Sequence, residues 1–322
     1  MMEKSPFFTV IIPVYNVENY IGRCLDSILN QSHQDFEVIC VNDCSPDNAM
    51  SVVGAYAEKD SRIKALSHDR NRGPMVARQT GIQASSGDFY MFVDSDDTLP
   101  ADALETLMAV AQEKSSDIVV AGHTLVDEHG NKIREELPFT SGEFTSQEII
   151  NLLVEKKIRH NLAFCIFAKS LFNRNFYTLE NQNNCEDMIL FYELVGASKQ
   201  ISLIQRSVYD YYQTPGSTTH SRITPNVLNQ MTYVINFQYQ FLTERGLSES
   251  RALDFILPHI NIYYLYDGKQ LLQKLNPEIL KKLEGHTIRG YLPFKRWFSH
   301  LLCKKTPRLA LLLLNAKTLF HK

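Results

Sequence analysis

Short, unbroken apolar runs alternate with amphipathic stretches through the first 125 residues of this chain. Thr9–Ile12 is mostly β-branched and shows no polar alternation, so it predicts a strand buried on both faces. Pro13 has no amide hydrogen and is expected to end the pairing there. Val17, Tyr20, Ile21, Cys24, Leu25, Ile28 and Leu29 then recur at i, i+3, i+4 and predict one buried helical stripe, with Asn16 at its N-cap position. Phe36–Val41 predicts a second strand, and Ser45–Pro46 the N-cap and first residue of the following helix. Further strands are predicted at Ile63–Ser67, Phe89–Val93 and Asp117–Ala121, with helices over Gly73–Ala84 and from Pro100.

Strands alternating with helices at this spacing predict an α/β protein with a mostly parallel central sheet covered by helices on both faces. Ligands of such sheets bind beyond the carboxyl ends of the strands. That rule directs attention to Pro13–Asn16, Asn42–Ser45, the segment after Ser67, and Asp94–Asp97, all of them rich in polar residues. Beyond residue 125 the rhythm changes. His129–Gly130–Asn131 reads as a turn, Thr145 with Glu148 as a capping box, Val208–Gln213 as a strand, and the chain from Asn226 as helical.

Composition narrows the class. With 44% hydrophobic and 21% charged residues the chain is a folded globular protein, and a net charge of −3 gives no ground for nucleic-acid binding. Its six cysteines include no CxxC pair, which favours reduced thiols in a cytoplasmic protein. No apolar run approaches the ~18 residues of a membrane-spanning helix, and the N-terminus has no signal-peptide pattern.

The chemistry concentrates at the strand ends. Asp94-Ser95-Asp96-Asp97 follows an apolar strand and offers hard oxygen ligands to a divalent ion, Mn²⁺ or Mg²⁺, that a diphosphate would share. The structural alternative is a loop whose Asp97 or Thr98 caps the next helix. Asp43, at the end of the second strand, suits a uracil imide or a ribose hydroxyl, and Ser45 is the better cap. Tyr15 offers a flat ring for stacking on a base, although a lone tyrosine more often serves packing. Asn71-Arg72-Gly73 and Arg78 place backbone amides and a guanidinium where a phosphate could sit.

In this order the motifs Val10-Ile-Ile-Pro-Val-Tyr-Asn16, Val41-Asn-Asp-Cys-Ser-Pro-Asp47, Asn71-x-Gly-Pro-x-x-Ala-Arg78-x-x-Gly81 and Val93-Asp-Ser-Asp-Asp97 resemble those of the family 2 inverting glycosyltransferases. The bacterial members that build cell-surface polysaccharide and lipooligosaccharide are the ones it resembles most. The resemblance implies a GT-A fold and transfer of a hexose or N-acetylhexosamine from a nucleotide diphosphate sugar, expected to be UDP-linked, to a saccharide or lipid-linked saccharide. It implies a donor site of Pro13, Tyr15, Asn16, Asp43, Asn71, Arg78, Asp94 and Ser95. Within that site Tyr15 and Asp43 would hold the base, Asp94 would face the ribose, and Asp96 would bind the metal. It also implies that the later pair Glu186–Asp187 supplies the catalytic base, Asp187 first with Glu186 in support; the alternative is two carboxylates favouring a helix dipole. His220 would be a metal ligand or a diphosphate contact, or simply an exposed loop histidine. Two residues depart from the family pattern: Asn42 stands where a second aspartate is common, and Cys44 where glycine is.

On this reading residues 1–222 form the catalytic domain, with a donor-binding half over 1–125 and an acceptor-side half over 126–222, and residues 223–322 form a helical extension. From about residue 286 that extension is basic and amphipathic: no acidic residue follows Glu284, while Arg289, Lys295, Arg296, Lys304, Lys305, Arg308, Lys317 and Lys322 alternate with Leu, Phe and Trp297. Such a helix suits an anionic membrane surface and a peripheral place on the cytoplasmic face. The rival is a helix that buries its leucines against the protein. Rival functions are a haloacid-dehalogenase-like phosphatase, which shares the Asp94-x-Asp96-x-Thr98 pattern but normally opens with that strand, and a catalytically silent nucleotide-sugar-binding module. A dinucleotide oxidoreductase is disfavoured because Pro13-Val-Tyr-Asn16 replaces the glycine-rich turn.

Overall fold

The computed structural model describes residues 7–173, 186–213, 224–265, 269–283 and 303–305. The chain divides into two compact units, Met1–His220 and Ser221–Lys322. In the first, the buried apolar runs become β1 (Phe8–Val14), β2 (Phe36–Asn42), β3 (Ile63–Ser67) and β4 (Phe89–Phe92). Between them lie α1 (Ile21–Leu29), α2 (Ala49–Ala57) and α3 (Pro74–Ala84). After α4 (Ala103–Lys114) come β5 (Ile118–Val126), β6 (Lys132–Glu136), β7 (Gly142–Phe144), α5 (Ser146–Val154), β8 (Cys165–Ala168), α6 (Glu186–Ala197) and β9 (Ile201–Tyr212).

Among the described residues these strands form one sheet of order β3-β2-β1-β4-β8-β5-β9-β7, with β6 paired to β5. β3, β2, β1 and β4 run parallel, as the alternation of elements predicts. The far half is mixed: β8 is antiparallel to both β4 and β5, whereas β5 and β9 are parallel. β1 and β2 are almost wholly buried, which is why they read as continuous apolar runs. Helix α3 packs directly on them. A Cβ on Gly81 would lie 2.4 Å from Ile11 Cγ2, so glycine is what permits the approach.

Pro13 does not end the pairing. The Ile11 carbonyl accepts from Val93 N–H at 3.1 Å and the Val14 carbonyl from Asp43 N–H at 3.0 Å, so residue 11 bonds toward β4 and residue 14 toward β2. By the two-residue period of a strand, Pro13 directs its missing donor toward β4, whose register with β1 ends at Ile11 and Phe92. Its partner β2 stays paired as far as Val14 and Asn42.

The turn at residues 129–131 is built around Asp127, whose Oδ1 accepts from His129 N–H and Asn131 N–H, and Gly130 takes φ +84°. The Thr145–Glu148 capping box is complete. In the second unit the described helices are α7 (Pro225–Glu244), α8 (Glu249–Leu265) and α9 (Pro277–Leu283). Buried Tyr263 of α8 donates to the Leu228 carbonyl of α7 at 2.8 Å and pairs with Thr232 at 2.8 Å. No described helix is long and apolar enough to cross a membrane. The basic stretch beyond Glu284 lies outside the described residues, apart from Cys303–Lys305.

Candidate active site

The carboxyl ends of β1, β2 and β3 are tied to one another by their own polar side chains. Asn42 Oδ1 accepts from Ser45 N–H at 2.8 Å, and Ser45 Oγ accepts from Asn16 N–H at 2.7 Å. Asp47 accepts from Glu18 N–H, and Glu18 in turn accepts from Asn48 N–H at 2.8 Å. These bonds account for two departures from expectation. Asn16 is not an N-cap: it sits in the left-handed region at φ +55°, and α1 begins only at Ile21 after a turn closed on the Val17 carbonyl. Ser45 is not the cap of α2 either, because its hydroxyl serves the neighbouring loop and α2 starts at Ala49. Cys44 takes φ +58°, a conformation that favours glycine, which explains the glycine common at this place in the family it resembles. Tyr15, at the end of β1, is 49% exposed and offers its ring to solvent.

Asp43 is not a free carboxylate. It is 3% exposed, and its Oδ1 accepts from His68 Nδ1 and Arg72 N–H, both at 2.8 Å, while Oδ2 accepts from Gly73 N–H at 2.7 Å. His68 is braced from its far side by Thr80 Oγ1 at 2.9 Å. Asp43 therefore fastens β2 to the turn that enters α3, where Gly73 takes φ +92°. To contact a base it would have to release one of these donors. Asn71 is half-buried in the same turn.

The aspartate loop after β4 is held from two sides. Asp97 is fully buried and does not cap α4; its carboxylate accepts from Tyr209 Oη and Tyr212 N–H, both at 2.8 Å, and Tyr209 Oη also accepts from Asp94 N–H at 3.1 Å. From α1, Arg23 donates to the Asp96 carbonyl. Burial, with Asp96 and Asp94 nearby, holds the Asp97 carboxyl well above the usual carboxylate range. Ser95 is buried rather than displayed. Asp94 and Asp96 are half-exposed at the rim.

Arg78 and the Glu186–Asp187 pair meet this loop, 108 residues apart in sequence from Arg78 to Glu186. Arg78 is 6% exposed; its Nη1 donates to Glu186 Oε1 at 3.0 Å and its Nη2 to Asp94 Oδ1 at 3.1 Å. Both Nη groups are thus engaged by carboxylates, and the guanidinium is a strut between donor-side and acceptor-side residues. Its Nε is buried with no hydrogen-bond partner. Glu186 and Asp187 open α6. Glu186 is buried, and its carboxyl is pushed up to about 7 by burial and by Asp187, against the opposing pull of Arg78. Asp187 is half-buried, accepts from Met188 N–H at 2.8 Å, and is likewise raised, chiefly by burial. His220 lies outside the described residues.

Asp94, Glu186 and Asp187 therefore converge on Arg78 and outnumber it, with Asp96 in the same loop as Asp94. A phosphate oxygen about 5 Å from one such carboxylate is opposed by roughly 3 kcal/mol at an effective dielectric near 20. A hard divalent cation fits this donor set, since Asp94 and Asp96 present half-exposed carboxylates at a surplus of negative charge. Among the described residues no cluster of three His, Cys, Asp or Glu side chains stands ready for an ion. The remaining ligands would come from a bound diphosphate or from residues outside those described. The sequence places Tyr209 in a strand but gives no signal for its role, for His68 and Arg23, or for the inward role of Asp97, because each acts through a tertiary contact.

The family described as Glycosyl transferase family 2 matches residues 9–178. Among curated relatives, the glycosyltransferase GlyG of Streptococcus pneumoniae is 28% identical over 221 residues, covering 66% of this chain and 73% of that one. The poly(ribitol-phosphate) beta-glucosyltransferase of Bacillus spizizenii is 30% identical over 209 residues, covering 63% of this chain and 31% of that one. Among solved structures, S. aureus TarS 1–349 in complex with UDP-GlcNAc superposes with a TM-score of 0.68 at 20% identity, covering 94% of this chain and 92% of that one.

Proposed function

This chain belongs to glycosyl transferase family 2, and from that premise we propose that it transfers a hexose or N-acetylhexosamine from a UDP-linked donor to a saccharide acceptor, with inversion, in the building of a cell-surface glycan. The observation that carries the reading is the meeting of Asp94 and the Glu186–Asp187 pair on Arg78, which joins a nucleotide-side loop to a base with a raised pKa. The UDP-GlcNAc complex of the structurally similar TarS and the polymer acceptor named for the Bacillus relative support the substrate classes.

Tyr15 stacks on the base, Asp94 faces the ribose, and Asp96 with Asp94 would hold Mn²⁺ or Mg²⁺. When bound, the cation supplies the positive charge that the carboxylate surplus lacks. Asp187 accepts the proton of the acceptor hydroxyl while that oxygen bonds to the anomeric carbon and the bond to the diphosphate oxygen breaks. The electron pair leaves with UDP, and attack from the opposite face inverts the anomeric centre. Asp187 fits the base better than Glu186, because Glu186 is buried against Arg78 whereas Asp187 is only half-buried. Arg78 acts by holding Glu186 and Asp94 in place rather than by gripping phosphate. In the C-terminal region, binding to an anionic membrane surface would bring a lipid-linked acceptor within reach.

The test is a panel of nucleotide sugars assayed for hydrolysis and transfer, with and without Mn²⁺, for the native chain and Asp96→Ala. Expected are a uridine-linked donor, cation dependence, and loss of turnover in the variant with its fold intact. Full turnover of Asp96→Ala in excess chelator would sink the cation assignment.

A further inference from the structure

One side of β5 changes partner partway along its length. It pairs with β8 only from Ile118 to Val120, and from His123 onward with β6. β9, on the other side, breaks register with β5 on either side of Gly122. The switch falls at Ala121 and Gly122, where Ala121 N–H still donates to the Phe164 carbonyl at 3.1 Å, and a cavity lies beside Val120 and Ala121. Leu137, Pro138 and Phe164 line it together with His123, Lys157 and Arg159. Concave sites with apolar walls and a few polar groups are where small ligands bind.

One wall of the cavity adjoins the reaction centre through Phe164. β8 begins at Cys165, beside the end of β4 from which the aspartate loop emerges. Two strand spacings separate that loop from β5, about 10 Å. Phe164 stacks on His123 at 4.6 Å and meets the ring of Tyr209 edge-on at 6.4 Å, and Tyr209 holds the aspartate loop. On the acceptor side, His160 of the segment entering β8 lies 6.3 Å from Tyr192 of α6, the helix that carries Asp187.

Its chemistry is that of a saccharide site. His123 is 5% exposed, and Glu136 Oε2 stands 3.7 Å from its Nε2, beyond hydrogen-bond reach. Glu136 is already engaged by Arg134 and Arg159, each at 2.7 Å. Burial lowers the pKa of His123, so a neutral imidazole faces the cavity with one nitrogen able to donate and the other to accept. Leu137, Pro138 and Phe164 provide apolar surface for a sugar-ring face. Lys156, Lys157 and Arg159 outnumber Glu136 among the lining residues, the opposite balance from the aspartate loop, with Lys157 paired to Glu155 at 2.9 Å and Arg159 to Glu136 at 2.7 Å.

We propose that this cavity is an acceptor subsite that takes a saccharide unit bearing an anionic substituent, next to the unit that receives the transferred sugar. The proposal rests on the glycosyltransferase reading above and extends it to the acceptor.

The test uses ligand-observed NMR with glucose, glucuronic acid and glucose 6-phosphate. Saturating UDP is present throughout, so that anions do not report on the donor site. At least one anionic sugar should bind more tightly than glucose, and the two arms separate a carboxylate from a phosphate. Arg159→Gln, at a side chain 66% exposed, should weaken the anionic sugar about tenfold and leave glucose nearly unchanged. His123→Gln should weaken all three, with a melting curve to confirm its fold. Anionic sugars binding no better than glucose, no sugar binding at all, or binding indifferent to Arg159→Gln would each overturn the proposal. Acceptor-free hydrolysis of UDP-sugars, measured on the same samples, keeps the two readings apart. Its absence in the native chain would count against the donor assignment alone, and its loss in Arg159→Gln would move that residue out of an acceptor subsite.

Discussion

Replacing Arg78 by methionine removes the strut between the two halves of the site while keeping most of its volume. The two ion pairs it makes are unequal. The Asp94 side chain is 43% exposed, so solvent screens that pair and it contributes about 1 kcal/mol at most. Glu186 is buried, and stripping the partner from a buried charge costs about 3–5 kcal/mol. Glu186 has an escape through protonation, because its carboxyl already titrates at about 7. A raised carboxyl binds its proton in the folded state but not in the unfolded chain, so it lowers stability as pH rises from the unfolded value, about 4.3, to the folded one. In the native protein that decline ends near pH 7. In Arg78→Met the lowering influence of the guanidinium is gone, the folded pKa rises further, and the decline continues. The stability difference between the two proteins should therefore widen above pH 7 by up to about 1.4 kcal/mol per pH unit. Urea unfolding of both proteins at pH 6, 7, 8 and 9 measures it. A difference that stays constant across this range would refute a buried Glu186 charge balanced by Arg78.

Asp187→Asn should retain UDP-sugar binding and lose transfer by roughly 10²–10⁴-fold, with Glu186→Gln the milder change; loss of donor affinity with an unchanged rate would place Asp187 in the donor site. Because burial raises the Asp187 carboxyl and a base must be ionised, kcat/KM should fall with decreasing pH while still above the ordinary aspartate range, a limb that a pH–rate profile will locate. Cys44→Gly relieves a left-handed backbone and should stabilise the fold by about 0.5–1 kcal/mol, net of glycine's entropy, in denaturant titration; a loss of stability would show that the Cys44 side chain contributes something its φ does not reveal. Gly81→Ala drives a methyl against Ile11 and should destabilise by about 1–3 kcal/mol despite alanine's better helix propensity.

The sequence by itself determined the parallel half of the sheet and the loops that carry the site, because both follow from local patterning. Strands buried on both faces must be apolar throughout, and residues at their carboxyl ends must be polar, so Tyr15, Asp43 and Asp94–Asp97 were legible one strand at a time. The capping box at Thr145 and the turn at Gly130 were legible for the same local reason. Tertiary structure decided which of these side chains are free. Asp43 and Asp97 look alike in sequence to open ligands, yet His68 and two backbone amides engage one, and Tyr209 with an amide of β9 engages the other. Arg78 sits at a phosphate-like position on its helix and is committed to Glu186 and Asp94 instead. The short strands β6, β7 and β8 and the cavity at the partner switch of β5 had no sequence signal either. Three to five residues carry too little periodicity to announce a strand, and their pairing is set by distant neighbours. A side chain's hydrogen-bonding partner is a property of folded space, and the chemistry of this site depends on which carboxylates already have one.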